Sequence, residues 1–83
     1  MPWFYVCVLR SRRDGQWYIG QTARLRHRLR QHELGWTPAT ARRRPLELLY
    51  FEGHRSRHAA ERRERYFKTT NGKAMLRYIL RPQ

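Results

Sequence analysis

The fold is decided by residues 3–21, which read WFYVCVLRSRRDGQWYIGQ. Residues 3–9 are a continuous apolar and aromatic run of strand length, and residues 16–21 are typical of a second strand. Between them, Asp14-Gly15 is a strong signal for a tight hairpin turn. The stretch therefore predicts two neighbouring antiparallel strands.

The rest of the chain predicts one more strand and three helices. Strands are expected at residues 3–9, 16–21 and 46–51, with an extension of the last to Gly53 left open, and helices at residues 23–34, 57–68 and 73–80. Thr22 and Ser56 can cap the first two helices, Gly35 suits the end of the first, and residues 69–72 break the second from the third. The order β-β-α-β-α-α predicts an α+β fold, with helices packed on a three-stranded antiparallel sheet in one domain spanning residues 1–83.

The charge of the chain points to a polyanionic partner. Nineteen Lys and Arg stand against six Asp and Glu, which gives a formal net charge of +13. All the cationic residues except Lys68 and Lys73 are arginines, whose planar guanidinium can bind two phosphate oxygens at once. We therefore expect a nucleic acid as partner. An acidic membrane or protein surface, or an arginine-rich proteome, would account for the same composition.

Composition also bears on the compartment. No apolar run approaches the roughly 20 residues that a bilayer span needs, and the first residues lack the pattern of a signal peptide. Cys7 is the only cysteine, so neither a disulfide framework nor a cysteine-based zinc site is expected. We expect a cytoplasmic protein with no membrane partner, in which Cys7 is a buried, inert thiol.

A few side chains have the character of an active site. Tyr5 lies on the first predicted strand, and Tyr18 on the second is followed by Ile19-Gly20, although a glycine weakens a strand unless another group must pass close to the backbone. Arg28 and His32 are four residues apart, so they share the helix face that turns toward the sheet. Glu64, one of six acidic residues, lies in an arginine-rich helix.

This pattern resembles the GIY-YIG nuclease superfamily, and in particular its small stand-alone members similar to the N-terminal catalytic domain of the nuclease that acts in bacterial excision repair. The matching stretches are residues 3–5, 18–20, 25–32, 43–50 and 62–69. Two features depart from the family pattern. Trp3 and Phe4 replace the Gly and Ile of the first element, and Asn71 is closer to Glu64 than the family's asparagine, so we expect Asn71 to be a turn residue next to Gly72.

The resemblance implies a divalent-metal-dependent endonuclease acting on DNA. Tyr18 would be the general base or proton relay, with Tyr5 assisting it. Arg28 would clamp the scissile phosphate, Glu64 would hold Mg²⁺ or Mn²⁺, and His32 would be catalytic or contact phosphate.

The basic surface and the resemblance together suggest a mode of DNA recognition and a pathway. The phosphate-binding arginines expected on the surface are Arg24, Arg42, Arg43 and Arg44. Contacts to phosphates favour structure-selective or weakly sequence-specific cleavage, and the family suggests DNA repair or recombination.

Ordinary structural roles remain open for the same residues. The two tyrosines are at home in strands, and the arginine of the first helix could be solvated. His32 could pack or cap near Gly35, and Glu64 could simply pair with Lys68. Arg63, which falls among apolar residues on the helical wheel, could extend past the core to solvent or reach the active site.

Two other functions are compatible with the sequence. The first is a catalytically silent nucleic-acid-binding protein that keeps the fold and the charge. The second is a small basic protein associated with RNA, for which the composition alone would be sufficient. Both predict that Tyr18→Phe and Glu64→Ala leave function unchanged, and neither the oligomeric state nor a protein partner follows from the sequence.

Overall fold

The structure, a computed structural model, describes residues 2–82. Its elements are β1 (Phe4–Ser11), β2 (Trp17–Thr22), α1 (Leu25–Glu33), a 3-10 turn (Ala41–Arg43), β3 (Leu46–His54), α2 (Arg57–Phe67) and α3 (Thr70–Leu80). The three strands form one antiparallel sheet in the order β2-β1-β3. The predicted α+β fold and the order β-β-α-β-α-α are confirmed. No helix within residues 2–82 is long and apolar enough to cross a membrane.

The β1–β2 hairpin closes where the Asp-Gly pair predicts. Gly15 has a φ of +74°, the left-handed conformation that glycine adopts without steric cost. Its N–H donates to the Ser11 carbonyl at 2.8 Å. The Ser11 hydroxyl is buried and donates to the Arg43 carbonyl at 2.6 Å. The hairpin is thereby joined to the loop that precedes β3.

One face of the sheet carries the hydrophobic core, because alternate strand residues point to opposite faces. Val6, Val8 and Ile19 lie on this face and are buried. Helices α2 and α3 cover it with Ala60, Phe67 and Leu76, which are fully buried. Burying each large apolar side chain contributes about 1.5–3 kcal/mol, so this side of the sheet supplies most of the stability.

The opposite face carries Tyr5, Cys7 and Leu9, which pair in the ladder with Thr22, Gly20 and Tyr18. Helix α1 lies over this face. Leu25 and Leu29 are only half-buried, and within α1 the one buried residue is His32. A polar ring thus occupies the position closest to the sheet.

Two predicted helix starts are wrong. Thr22 does not cap α1, because it is the last residue of β2 and pairs with Tyr5. The α1 N-cap is Arg24, whose N–H donates to the Thr22 hydroxyl at 3.0 Å. The predicted C-terminal glycine is confirmed, since Gly35 has a φ of +79° and its N–H bonds the His32 carbonyl.

The last helix begins at Thr70, three residues before the predicted start. Thr69 is its N-cap and accepts a hydrogen bond from the Gly72 N–H at 3.0 Å. Gly72 is not a helix breaker: a Cβ there would collide with the Tyr66 carbonyl oxygen, so the glycine permits the close approach of α2 and α3. Ser56 caps α2 as predicted, accepting from the Ala59 N–H.

Candidate active site

Tyr5 and Tyr18 lie on the same face of the sheet, on neighbouring strands. Tyr18 pairs with Leu9, and Tyr5 precedes Leu9 by four residues on β1. The Tyr18 ring folds back over Gly20, so that a Cβ at Gly20 would lie 3.0 Å from Tyr18 Cε2 and 3.3 Å from its hydroxyl. The glycine that follows Tyr18-Ile19 therefore leaves room for the phenol, which is the close approach expected from a glycine in a strand.

His32 packs edge-on against Tyr18, with the ring centroids 5.0 Å apart and the planes at 63°. Only 2% of His32 is exposed. Its Nδ1 shares a hydrogen bond with the hydroxyl of Thr40 at 2.7 Å, and its Nε2 is buried with no partner among residues 2–82. Thr40 thus fixes the ring through Nδ1, while Nε2 remains without a hydrogen-bond partner among the described residues.

Thr40 is the residue of this site that sequence reasoning missed. It is fully buried, and its hydroxyl also lies 3.5 Å from the Thr37 carbonyl. It belongs to a polar loop that shows no periodicity. The one signal that could have found it is the rule that a buried histidine needs a polar partner.

The environment of His32 favours the neutral ring. Burial lowers the pKa of His32, and the positive charge of Arg28 lowers it further. A neutral imidazole has one N–H donor and one acceptor nitrogen. With Nδ1 bonded to Thr40, the ring is therefore fixed in orientation and uncharged at neutral pH.

The charges of Arg28 and Glu64 both influence the pKa of the Cys7 thiol. Burial raises the pKa of the Cys7 thiol, which lies opposite Gly20 in the ladder. The Gly20 backbone hydrogen bond and the charge of Arg28 oppose this rise, and the charge of Glu64 adds to it. Two opposite charges from two different helices thus lie within electrostatic range of the same thiol, and Cys7 is buried and protonated, as expected.

Arg28 itself is half-buried on α1. Its Nη1 donates to the Gln31 side-chain oxygen at 3.2 Å. A neutral amide partner leaves the positive charge of Arg28 uncompensated, which suits the binding of an anion.

Glu64 is half-buried on α2. It pairs with Lys68, which is the structural role that the sequence left open for it. Its Oε2 accepts from Lys68 Nζ at 2.9 Å. Ion pairs with an exposed partner of this kind contribute about 0–1 kcal/mol, so a divalent cation can displace the lysine. Residues 2–82 contain no group of three or more side chains suited to a metal. One carboxylate fits Mg²⁺, which keeps several waters and takes phosphate oxygens as further ligands.

The arginines expected to bind phosphate fall into two kinds. Arg24, at the start of α1, and Arg42, in the 3-10 turn, have exposed side chains. The Arg44 guanidinium instead lies over Gly35 and donates to two backbone carbonyls, those of Ala41 at 2.9 Å and Glu33 at 3.4 Å. Arg44 thus bonds a carbonyl at the end of α1.

Arg43 is half-buried in the same turn. Its Nε lies 3.5 Å from Asp14 Oδ2, on the β1–β2 hairpin, and its carbonyl is the acceptor for Ser11. Of the four predicted phosphate ligands, Arg24 and Arg42 are exposed and make no side-chain hydrogen bond or ion pair among the described residues, whereas the other two already have partners.

Arg63 lies on the core side of the sheet and pairs with Glu52. Its Nε donates to Glu52 Oε2 at 2.8 Å, and its guanidinium stacks on the Phe67 ring at 4.3 Å. Burial opposes ionisation of Glu52, but hydrogen bonds from Arg63, His54 and Tyr50 outweigh it and lower the pKa of Glu52. Arg63 is therefore paired with a largely buried carboxylate on the core side of the sheet.

Asn71 is the one remaining residue with a predicted position. It is exposed in the first turn of α3, so the prediction that it is a turn residue is wrong. The reason is the early start of α3, which places both Asn71 and Gly72 within the helix.

The chain matches the family model for the GIY-YIG catalytic domain over residues 1–78. It therefore belongs to the GIY-YIG nuclease family, as the resemblance of its motifs predicts.

Its relatives include small proteins of the UPF0213 group. It is 35% identical over 79 residues to the "UPF0213 protein in ldhD 5'region" of Pediococcus acidilactici, covering 92% of this chain and 80% of that protein. It is 40% identical over 67 residues to a UPF0213 protein of Streptococcus sanguinis, covering 80% and 77%. The solution structure of the UPF0213 protein BH0048 from Bacillus halodurans matches with a TM-score of 0.59 and 29% identity, over 93% of this chain and 84% of that one. These names state no substrate.

Proposed function

We propose that this protein is a divalent-metal-dependent endonuclease that hydrolyses phosphodiester bonds in DNA. The observation that carries the proposal is the contact of Tyr18 with a buried, neutral His32 on the sheet face that also bears Tyr5. Proton transfer from an attacking water needs a proton acceptor within reach, and the His32 ring that packs against Tyr18 carries a nitrogen with no partner among the described residues.

Phosphodiester hydrolysis develops negative charge at phosphorus and on the leaving oxygen, and fixed positive charge stabilises it. Arg28 offers a guanidinium that is not paired with a carboxylate among the described residues, so it binds the scissile phosphate. Tyr18 and Tyr5 orient the attacking water, and Tyr18 acts as a proton relay: its hydroxyl oxygen takes the water's proton while its own proton passes to the unused Nε2 of His32. A covalent intermediate is not required.

Glu64 is the metal ligand in this proposal. Bound there, Mg²⁺ or Mn²⁺ would supply positive charge to a phosphate oxygen and would lower the pKa of a coordinated water. Lys68 Nζ lies 2.9 Å from this carboxylate and would have to release it for the ion.

Substrate choice rests on contacts to phosphate. Arg24 and Arg42 present exposed guanidinium groups, and phosphate contacts position a nucleic acid without reporting its sequence. We therefore propose structure-selective or weakly sequence-specific cleavage of DNA by a cytoplasmic protein, with a place in repair or recombination.

The test is cleavage of branched, single-stranded and duplex DNA in Mg²⁺, in Mn²⁺ and in EDTA. Glu64→Gln should abolish metal-dependent cleavage and leave binding intact. Glu61→Gln, which removes a carboxylate one turn earlier on α2, is the matched control and should cleave at the rate of the original protein. Absence of metal-dependent cleavage by the folded original protein on all three substrates would overturn the proposal.

The second candidate is a nucleic-acid-binding protein that does not cleave. The Lys68–Glu64 contact favours it, because the carboxylate already has a partner without a metal. In that case Glu64→Gln would weaken the fold slightly and change nothing else.

A further inference from the structure

Three aromatic rings form a continuous strip on the α1 side of the sheet, and we name Trp3, Tyr5 and Phe51 the aromatic strip. Tyr5 and Phe51 meet edge to face, with centroids 6.2 Å apart. The rings of Trp3 and Tyr5 lie over Gly53, 3.3 and 3.5 Å from the position of a Cβ. Arg55 stacks on Trp3 at 5.1 Å from its ring centroid. The strip thus passes directly through one of the candidate catalytic tyrosines.

The aromatic strip is more exposed than is usual for large apolar side chains. Phe51 is 51% exposed and Trp3 is 45% exposed. Fully burying a side chain of this size is worth about 1.5–3 kcal/mol, and the fold leaves part of that stabilisation unused. Exposed aromatic side chains grouped in one place mark a binding surface more often than isolated ones do.

A groove of about 550 Å³ lies beside the strip, at the start of α1. Its walls are Tyr5 and Phe51 from the sheet and residues 23–27 from the segment that enters α1. Arg24 and Arg26 are exposed there, and no acidic side chain is among the described residues that line the groove. A surface that is aromatic and cationic, with no acidic member, is complementary to a polyanion with flat rings.

This charge pattern decides between the possible occupants. A second copy of the chain would bring its own charge of +13 against Arg24 and Arg26, so self-association on this face is disfavoured. Single-stranded nucleic acid combines phosphates for the arginines with bases that stack on aromatic side chains. A base inside a duplex is already stacked on both sides, so only an unpaired base can take this position.

We propose that Phe51 is the stacking platform for an unpaired base of a DNA strand, immediately beside Tyr5, with Arg24 and Arg26 on the adjoining phosphates. The proposal rests on the endonuclease function, because Tyr5 then links the platform to the scissile phosphate. It assigns to this groove the selection of substrates that carry an unpaired nucleotide next to the cleaved bond.

Binding in EDTA tests the platform without any cleavage. Short single-stranded and duplex oligonucleotides, each with one 2-aminopurine, are titrated with the original protein, Phe51→Ala and Phe51→Trp. Phe51→Ala should weaken single-strand binding by about 5- to 150-fold, the loss typical of one base stack. Phe51→Trp should preserve binding and the quenching of 2-aminopurine, and duplex affinity should be unchanged in both variants.

Tyr78 provides the matched control. It is 59% exposed on α3, on the opposite side of the molecule from α1, and Arg81 stacks on it at 3.9 Å. Tyr78→Ala removes an equally exposed aromatic ring beside an arginine and should leave single-strand binding unchanged. Phe51→Leu keeps apolar bulk without a ring, so it carries the test if the alanine variant fails to fold.

Single-strand affinity that is the same in Phe51→Leu and in the original protein would overturn the proposal, as would an equal loss for single strand and duplex. Failure of the platform and failure of the endonuclease are separable. Binding that depends on Phe51, without metal-dependent cleavage, would refute the endonuclease function and leave Phe51 as a binding site. Metal-dependent cleavage that is unchanged in the Phe51 variants would refute the platform and leave the endonuclease function.

Discussion

Replacing Thr40 by valine removes the hydroxyl that shares a 2.7 Å hydrogen bond with His32 Nδ1 and keeps the shape of the side chain. Both residues are buried, and His32 Nε2 already lacks a partner among the described residues. The ring would then lose the bond that orients it. A buried polar group left without its partner costs about 1–3 kcal/mol.

The expected result is a measurable loss of stability. In a domain of this size each kcal/mol lowers Tm by about 4–8 °C. Thermal unfolding followed by circular dichroism measures it. Thr40→Ser, which keeps the hydroxyl, should fall between the original protein and the valine variant. Thr37→Val is the control, because the Thr37 hydroxyl is buried with no partner among residues 2–82 and its loss sacrifices no hydrogen bond.

The same substitution should slow DNA cleavage, because His32 would no longer hold Tyr18 in one place. A misplacement of about 1 Å in an active site can cost roughly a hundredfold in rate. Single-turnover kinetics should show a slower cleavage step with DNA affinity unchanged, and thus a role for Thr40 as a positioning residue. Equal Tm values for Thr40→Val and Thr37→Val, or wild-type cleavage by a folded Thr40→Val, would refute this reasoning.

Three further predictions concern the fold and its charges. Because the pKa of buried His32 is lowered in the folded chain, the unfolded chain takes up the proton first as the pH falls below about 6.5. The free energy of unfolding, measured in urea, should therefore be full above that pH and decrease below it, and His32→Asn should lose this decrease. Gly72→Ala should unfold the protein, seen by circular dichroism, since its Cβ collides with the Tyr66 carbonyl oxygen; a cooperative melt at the original Tm would contradict the close α2–α3 approach. Arg24→Gln should lower the salt dependence of DNA binding by about one unit of slope, whereas Arg44→Gln should lower Tm, because Arg44 bonds backbone carbonyls; similar salt slopes in the two variants would contradict this division.

The sheet could be predicted because its signals are local. The apolar run of β1, the Asp14-Gly15 turn and the third strand each follow from a few neighbouring residues. The errors at Thr22 and Gly72 have another origin. Thr22 has the side chain of a cap, yet ladder pairing with Tyr5 draws it into β2. Gly72 has the propensity of a breaker, yet the N-cap starts α3 before it, and the close approach of Tyr66 leaves room only for a glycine there.

The site was predictable in its strands and helix but not in its loop. The spacing of Arg28 and His32 placed both on the helix face that turns toward the sheet, and the structure buries His32 against Tyr18. The position of Thr40 depends on how the segment between α1 and β3 turns back toward His32, and no periodic pattern specifies that path. The catalytic roles of these residues rest on chemistry and stay predictions.

The central claim is that Tyr18 takes part in phosphodiester cleavage, and its most direct test is the single-turnover cleavage rate of Tyr18→Phe at saturating metal. Phenylalanine keeps the ring over Gly20 and against His32 and removes only the hydroxyl. Proton transfer by a positioned side chain contributes about 10²–10⁴-fold, so the rate should fall by that factor while DNA affinity and Tm stay unchanged. Tyr78→Phe, on α3, should cleave at the original rate. Cleavage by Tyr18→Phe at the original rate would contradict the account.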